Sequence, residues 1–167
     1  MVDQAEITDF DRLVEELQRQ ISEQERALYS AKVIEEARNP RNLGRMVEAD
    51  AYAVVRGWCG DTIEIYLRLD GERIQEITFM TDGCGPSVAC GSKLTAMVQG
   101  MSLEEVRKIK PEDLIAALDG LPEESVYCAE LAVSTLQEAM ANRRADDRTS
   151  EAETLPRIDL YNREREV

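Results

Sequence analysis

An Asp-Gly pair between two segments of alternating apolar and polar residues predicts a β-hairpin. In residues 62–69 every second side chain is apolar, which is the period of a strand with one buried face. Residues 73–81 form the predicted return strand, and Asp70-Gly71 supplies the favoured turn between them. A first strand is predicted over residues 51–57. Together these segments predict a three-stranded, largely antiparallel sheet with one solvated face.

The signals that follow the strands are those of helices. Proline favours the first turn of a helix, glycine its end, and Ser-x-x-Glu is a capping box. The predicted helices begin near Pro86, Ser102, Pro111 and Ser125, and the longer ones end near Gln99, Gly120 and Asn142. The chain is therefore expected to adopt an α+β fold with helices packed on one face of the sheet.

Residues 10–38 are predicted to form an additional N-terminal helix. Thr8 and Asp11 resemble a capping box at its start, and Asn39-Pro40 ends it because the residue before proline avoids helical geometry. Its apolar stripe could pack on the domain, dimerise or dock a partner, and packing into the core is the expected use. The stripe consists of Phe10, Leu13, Val14, Leu17, Ile21 and Leu28.

The composition argues against several classes of function. The chain has 167 residues and a net charge of −14, so phosphate backbones and anionic lipid surfaces would repel it. No nucleic acid and no membrane is therefore expected as a partner. The first residues lack the apolar run of a signal peptide, which predicts a cytoplasmic protein whose cysteines are thiols, redox groups or metal ligands. Histidine is absent, which excludes Cys–His nucleophile pairs and histidine-ligated metal sites.

Three of the four cysteines are placed where chemistry is expected. Cys59 lies in a predicted turn beside Asp61, Cys84 directly precedes a helix, and Cys128 lies in the first turn of the last helix. Helix starts favour anions and raise the thiolate fraction of a cysteine. The gaps of 25 and 44 residues match no short metal motif, so a shared metal site and separate structural roles remain equally open on this ground.

Cys90 has a different setting. It shares an apolar helix face with Leu94 and Met97, and a free cysteine is commonly a small buried hydrophobe. A structural role is therefore favoured over a ligand role.

Several motifs in a fixed order resemble the IscU/NifU N-terminal type of iron–sulfur cluster assembly scaffold. The resemblance covers residues 28–143, which defines a scaffold domain between an N-terminal helical extension, residues 1–27, and a polar tail, residues 144–167, expected to be disordered. The motifs are residues 29–34, Asn39-Pro40-Arg41-Asn42-Leu43-Gly44, Cys59-Gly60-Asp61, residues 81–85, residues 94–95 with 100–105, Leu121-Pro122 and Cys128.

The resemblance implies a function and a ligand set. Cys59, Cys84 and Cys128 would bind a transient cluster, commonly [2Fe–2S], and Asp61 would be the fourth ligand or keep the cluster labile. Cys128 would receive sulfur. A pyridoxal-dependent cysteine desulfurase would donate that sulfur, a ferredoxin-like protein the electrons, and apo-proteins would accept the cluster. Such a protein is a scaffold and carrier with no turnover chemistry of its own.

The sequence departs from the family pattern at three places. Tyr127 stands where the family often has histidine, so a histidine-ligated state is excluded. The family's Leu-Pro-Pro-Val-Lys motif for an Hsc70-type chaperone is Leu-Pro-Glu-Glu-Ser here, over residues 121–125, which argues against dependence on that chaperone. Cys90 replaces the usual small residue, which leaves a spare ligand or sulfur relay as a minor alternative.

Two other functions fit the same cysteines. Zinc accepts ligation by three cysteines and one aspartate, so the chain could be a zinc-binding structural protein, and zinc could also occupy a scaffold without its cluster. Thiols at helix starts could also carry persulfide or cycle through a disulfide. The absence of a C-x-x-C pair weakens the redox form of this alternative.

Overall fold

The computed structural model describes residues 8–143 and the pair Ile158–Asp159. A short 3-10 turn, Glu123–Ser125, precedes the last helix. In chain order the other elements are α1 (Asp9–Leu28), α2 (Ala31–Arg38), β1 (Ala51–Arg56), β2 (Thr62–Asp70), β3 (Arg73–Thr81), α3 (Gly85–Val98), α4 (Leu103–Val106), α5 (Pro111–Ala117), α6 (Val126–Ala141) and β4 (Ile158–Asp159). The predicted α+β class is confirmed.

The sheet has β2 between β1 and β3, and both pairings are antiparallel. The hairpin turn lies one residue later than predicted, because Asp70 pairs with Arg73 and the turn is formed by Gly71 and Glu72. Gly71 supplies the positive φ of 59°, which glycine adopts without steric cost. A shift of register between Arg68 and Leu69 takes Leu69 out of the fully buried row.

A fourth strand extends the predicted three. The backbone of Ile158–Asp159 pairs in parallel with Val55 and Arg56, which gives the order β3-β2-β1-β4. This short strand falls within residues 144–167, the tail that the sequence predicts to be mostly disordered. The rest of residues 144–167 lies outside the described part of the chain.

The core lies between the sheet and the helices α3 and α6. Helix α6 packs across β1 and β2, and α3 packs against β3. The inward row of β2, Ile63, Ile65 and Leu67, is fully buried together with Phe79 of β3. The strand period of two therefore directs one face of the sheet into a closed core.

The predicted N-terminal helix is in fact two helices. Tyr29 leaves helical geometry, and the side chain of Ser30 accepts a hydrogen bond from the N–H of Val33 to begin α2. Val33 is buried, whereas α1 has no buried residue. The expectation that the stripe of α1 packs into the core is therefore wrong for the chain as described. No helix among the described residues is long and apolar enough to cross a membrane.

The Asn-Pro-x-Asn-x-Gly segment pairs with the edge of β3. The N–H of Phe79 donates to the carbonyl of Asn42, and the N–H of Gly44 donates to the carbonyl of Phe79. The backbone N–H and carbonyl of Phe79 on this side are thereby both paired, which protects this part of the strand edge from other chains. The segment also ties α2 to α3, because the N–H of Arg41 donates to Ser92 Oγ, which donates to Glu36.

Candidate metal centre

Cys59 and Asp61 occupy a tight turn between β1 and β2. The N–H of Gly57 donates to the carbonyl of Asp61, and the N–H of Gly60 donates to the carbonyl of Gly57. Gly60 has a φ of 96°, a conformation that favours glycine. The turn also approaches α6 closely, since a Cβ on Gly57 would lie 3.0 Å from Leu131 Cδ2. The close approach directs this turn toward the start of α6.

Cys84 and Cys128 lie at the starts of α3 and α6, as the sequence predicts. Cys84 is the N-cap residue of α3 and its side chain makes no capping hydrogen bond, so its thiol remains available. Cys128 is the third residue of α6 and is fully buried. Ser125 holds the N-cap position of α6 but makes no side-chain cap bond, which corrects the capping role that the sequence predicts for it.

The hydroxyl of Ser87 connects three of the four predicted ligands. Its Oγ lies 3.0 Å from Asp61 Oδ2, 3.4 Å from Cys128 Sγ and 3.8 Å from Cys84 Sγ. A hydroxyl has one proton to donate, so Ser87 donates either to Asp61 or to Cys128 at any one time. Asp61, Cys84 and Cys128 therefore share one small polar pocket, with Ser87 between them.

The pocket has this shape because Gly83 has no side chain. A Cβ at Gly83 would lie 2.6 Å from Asp61 Oδ2 and 2.7 Å from Ser87 Oγ. Any side chain at this position would therefore push the carboxylate of Asp61 away from α3. The glycine of the Gly-Cys-Gly segment is thus required by the packing of the site.

Tyr127 connects the remaining cysteine to the pocket. Its hydroxyl faces the thiols of Cys59 and Cys128, and the interaction with Cys59 is the main cause that raises the pKa of Tyr127. Its ring packs on Trp58, with the ring centroids 5.2 Å apart. The fold consequently brings the four predicted ligands to one region, together with the hydroxyl groups of Ser87 and Tyr127. These ligands are Cys59, Cys84, Cys128 and Asp61.

In residues 8–143, no three Cys, Asp or Glu side chains are already arranged to hold one metal ion. The hydroxyls of Ser87 and Tyr127 lie between the thiols. Cys59 and Cys84 are exposed in a turn and at a helix start, where a side-chain rotation needs no repacking of the core. Binding of a metal would thus require these two thiols to turn toward Cys128.

Burial raises the pKa of two of the four thiols. It raises the pKa of Cys128 to about 11, against the opposing effect of the Ser87 hydroxyl. Burial also raises the pKa of Cys90 far above its ordinary value, and the nearby Cys128 and Cys84 raise it further. Cys90 is fully buried in the core, in keeping with the structural role favoured by the sequence.

We expect alkylation to divide the cysteines into two pairs. Iodoacetamide reacts with thiolates that it can reach, so Cys59 and Cys84 should be labelled quickly at neutral pH and Cys90 and Cys128 slowly. Peptide mass spectrometry at timed intervals measures each rate, and the same reaction in denaturant should label all four equally. Labelling of Cys128 as fast as that of Cys84 in the native protein would contradict the buried position.

Ser87 was not predicted from the sequence as a member of the site, and Tyr127 was predicted only as a departure from histidine. A usable signal for Ser87 was its place one helical turn after Cys84, as a hydroxyl residue in an otherwise apolar segment. No local signal could give its contact with Asp61 or Cys128, because those residues come from other elements.

Comparisons with known proteins identify the family of the chain. The family model described as NifU-like N terminal domain matches residues 28–149. An iron-sulfur cluster assembly scaffold protein IscU of Archaeoglobus fulgidus is 37% identical over 116 residues, which cover 69% of this chain and 76% of that protein. The IscU scaffold protein of Aquifex aeolicus is 31% identical over 142 residues, 83% of this chain and 89% of that protein.

A solved structure shows the same fold. The N-terminal NifU-like protein of Brucella abortus superposes with a TM-score of 0.57 and 19% sequence identity, covering 68% of this chain and 92% of that one. The match to the family model and the identity to the two IscU proteins confirm the resemblance of the motifs. On its sequence and its fold, the chain belongs to the NifU-like N-terminal domain family.

Proposed function

We propose that this protein is a scaffold that assembles a transient iron–sulfur cluster and transfers it to apo-proteins. The observation that supports this most directly is the convergence of Cys84, Cys128 and Asp61 on Ser87, with Cys59 joined through Tyr127. The relatives named as cluster assembly scaffolds support the same function. The scaffold domain is residues 28–143, between an N-terminal extension, residues 1–27, and a tail, residues 144–167.

The donor set fits a cluster that is built and then released. Thiolates of Cys59, Cys84 and Cys128 are the soft ligands that iron–sulfur clusters prefer. The carboxylate of Asp61 is a harder and weaker ligand for such a centre, so one iron would be held less tightly than by a fourth thiolate. We propose a [2Fe–2S] cluster as the cargo, with zinc as an occupant of the same ligands in the cluster-free protein.

The partners follow from the electron balance of assembly. Sulfur that arrives as persulfide is at the level of elemental sulfur, so forming two sulfides takes four electrons. Oxidation of two ferrous ions supplies two of them, and a ferredoxin-like donor must supply the others. Cys128 is buried with a raised pKa, so sulfur transfer requires the docked cysteine desulfurase to expose this thiol and a base to take its proton. The thiolate of Cys128 then attacks the outer persulfide sulfur of the desulfurase, whose own thiolate leaves. The acceptors are apo iron–sulfur proteins, and we place these events in the cytoplasm.

Anaerobic reconstitution followed by transfer tests the proposal. The protein is incubated with ferrous iron, cysteine, a cysteine desulfurase and reduced ferredoxin, and visible absorption and Mössbauer spectra record the product. An apo-ferredoxin is then added after removal of free iron and sulfide. We expect a coloured [2Fe–2S] form whose cluster moves to the apo-ferredoxin.

Two results would contradict it in different ways. Zinc that cannot be displaced, with no sulfur taken up, would support a structural zinc protein. A stable persulfide on Cys128 with no bound iron would support a sulfur carrier. A matched variant, Cys90→Ser, should still assemble the cluster, because Cys90 is buried in the core and is not among the proposed ligands.

A further inference from the structure

Helix α1 presents a row of large apolar side chains to solvent. Phe10, Leu13, Leu17, Ile21 and Leu28 are between 49% and 70% exposed, and no residue of α1 is buried. Among the described elements α2 makes the main contact with α1, and Arg38 of α2 pairs with Glu25 near the C-terminal end of α1. An amphipathic helix of 20 residues gains most of its stability from packing its apolar face, so this row calls for a partner surface.

The spacing of the row is that of a two-stranded coiled coil. In a heptad written abcdefg, Val14, Ile21 and Leu28 hold the a positions and Phe10, Leu17 and Gln24 hold the d positions. β-Branched residues at a with leucine at d favour two parallel strands, and the central heptad has this pattern with Val14 and Ile21 at a and Leu17 at d. We propose that α1 pairs in parallel with α1 of a second copy of this chain.

The charges beside the seam favour the same arrangement. Positions e and g carry two charged residues, Asp11 and Glu25, and both already have partners within their own chain. Asp11 accepts hydrogen bonds from Thr8 in the capping box, and Glu25 pairs with Arg38. The three arginines of α1 lie at the outermost f positions, at residues 12, 19 and 26. The seam can therefore close without bringing unpaired like charges together.

The same residues decide between parallel and antiparallel pairing. In a parallel pair, a g residue faces the following e residue of the other helix, so Gln20 would face Glu25 of the second copy. In an antiparallel pair e residues face each other, which would bring Asp11 against Glu25. Gln24 at position d would meet its own counterpart in the parallel pair, where two amides can hydrogen-bond and fix the register.

Parallel pairing would also determine where the candidate metal centres of the two copies lie relative to each other. The C-terminal end of α1 and Tyr29 line a small cavity together with Gly85 and Pro86, the residues that follow Cys84. The two copies of Cys84 would therefore both lie at the C-terminal end of the coiled coil, on domains held side by side. An antiparallel pair would separate them by about the 30 Å length of the helix.

Sedimentation velocity of the full chain over a range of concentrations tests the pairing. We expect the wild-type protein to move from monomer to dimer as its concentration rises, and the double variant Leu17→Gln, Ile21→Gln to stay monomeric. The matched control, Glu15→Gln with Glu23→Gln, changes two exposed side chains at positions b and c, away from the seam, and should dimerise as the wild type does. Neither change touches a buried residue, so thermal unfolding should show the same folded domain in all three.

Cross-linking tests the orientation. In a background with Cys59 and Cys84 replaced by serine, Gln24→Cys should form an intermolecular disulfide under copper phenanthroline, whereas Ser22→Cys on the outer face should not. A wild-type protein that remains monomeric at every concentration would overturn the proposal and leave the row to a different partner. A trimer, a dimer that survives the Leu17 and Ile21 changes, or equal cross-linking at positions 22 and 24 would overturn it as well.

Discussion

Replacing Gly91 with alanine is expected to destabilise the fold by about 2–3 kcal/mol, the cost of overfilling a packed core. Within a helix the same change normally stabilises by up to about 1 kcal/mol. Here the added Cβ would overlap Cδ2 and Cε2 of Phe79 and lie 2.9 Å from its Cγ. Phe79 is fully buried on β3, so its ring has no free space into which to move. The steric cost therefore exceeds the gain in helix propensity.

Urea denaturation followed by circular dichroism measures this effect. Gly85→Ala in the same helix is the matched control, because its Cβ would have Ala37 Cβ at 3.9 Å as its nearest neighbour. We expect the control to unfold at the wild-type urea concentration or slightly above. Adding Phe79→Leu to Gly91→Ala should cost less than the sum of the two single changes. A Gly91→Ala protein as stable as the wild type would contradict the close packing of α3 on β3.

The contact at Gly91 also matters for the site. It brings α3 against β3, and the same helix begins at Cys84 and carries Ser87. A displaced α3 would carry both residues away from Asp61 and Cys128, which belong to other elements. Gly91→Ala should therefore weaken metal binding as well as folding, even though Gly91 touches none of the proposed ligands.

The strands were predicted well because the alternation of apolar and polar residues that marks them lies within each strand. The alternation in residues 62–69 and 73–81 depends only on one buried face, and the observed strands match it closely. The turn was misplaced by one residue because the irregularity between Arg68 and Leu69 leaves no mark in the alternation. The break between α1 and α2 at Ser30 was not predicted because the helical spacing of apolar residues continues into α2. Ser30 was the signal that could have shown it, because serine is a common capping residue and caps α2 here.

The contacts between distant elements could not be predicted from local sequence patterns. Three cysteines and Asp61 could be placed at turns and helix starts, yet the hydroxyl of Ser87 among them depends on α3, α6 and the β1–β2 turn meeting at one point. The stripe of α1 was identified correctly, but periodicity shows that a face is apolar without showing what covers it. In the described chain that face is open to solvent, which is why it supports an interaction with a second molecule.

Replacing Asp61 with alanine is expected to lengthen the lifetime of the assembled cluster and to slow its delivery, each by about tenfold or more, the scale on which ligand surroundings alter metal sites. The carboxylate is the weakest of the proposed ligands, and an oxygen ligand that exchanges readily gives an acceptor thiolate a route to the iron. Without it, ligand exchange must begin by displacing a cysteine. Loss of visible absorption under a chelator measures the lifetime, and the rate of appearance of holo-ferredoxin measures delivery.

Ser87→Ala is the control that separates two causes of this effect. It removes the hydroxyl that lies 3.0 Å from Asp61 Oδ2 and that also contacts the thiols of Cys128 and Cys84, but it keeps the carboxylate. If ligand exchange at Asp61 governs release, the Ser87→Ala cluster should still decay and transfer readily, unlike that of Asp61→Ala. Equal stabilisation of the cluster in both variants would assign the effect to the hydroxyl of Ser87 and its contacts, and unchanged lifetime and transfer in Asp61→Ala would remove Asp61 from the mechanism. Release would then have to begin at one of the three thiolates, of which Cys59 and Cys84 are exposed to an incoming acceptor.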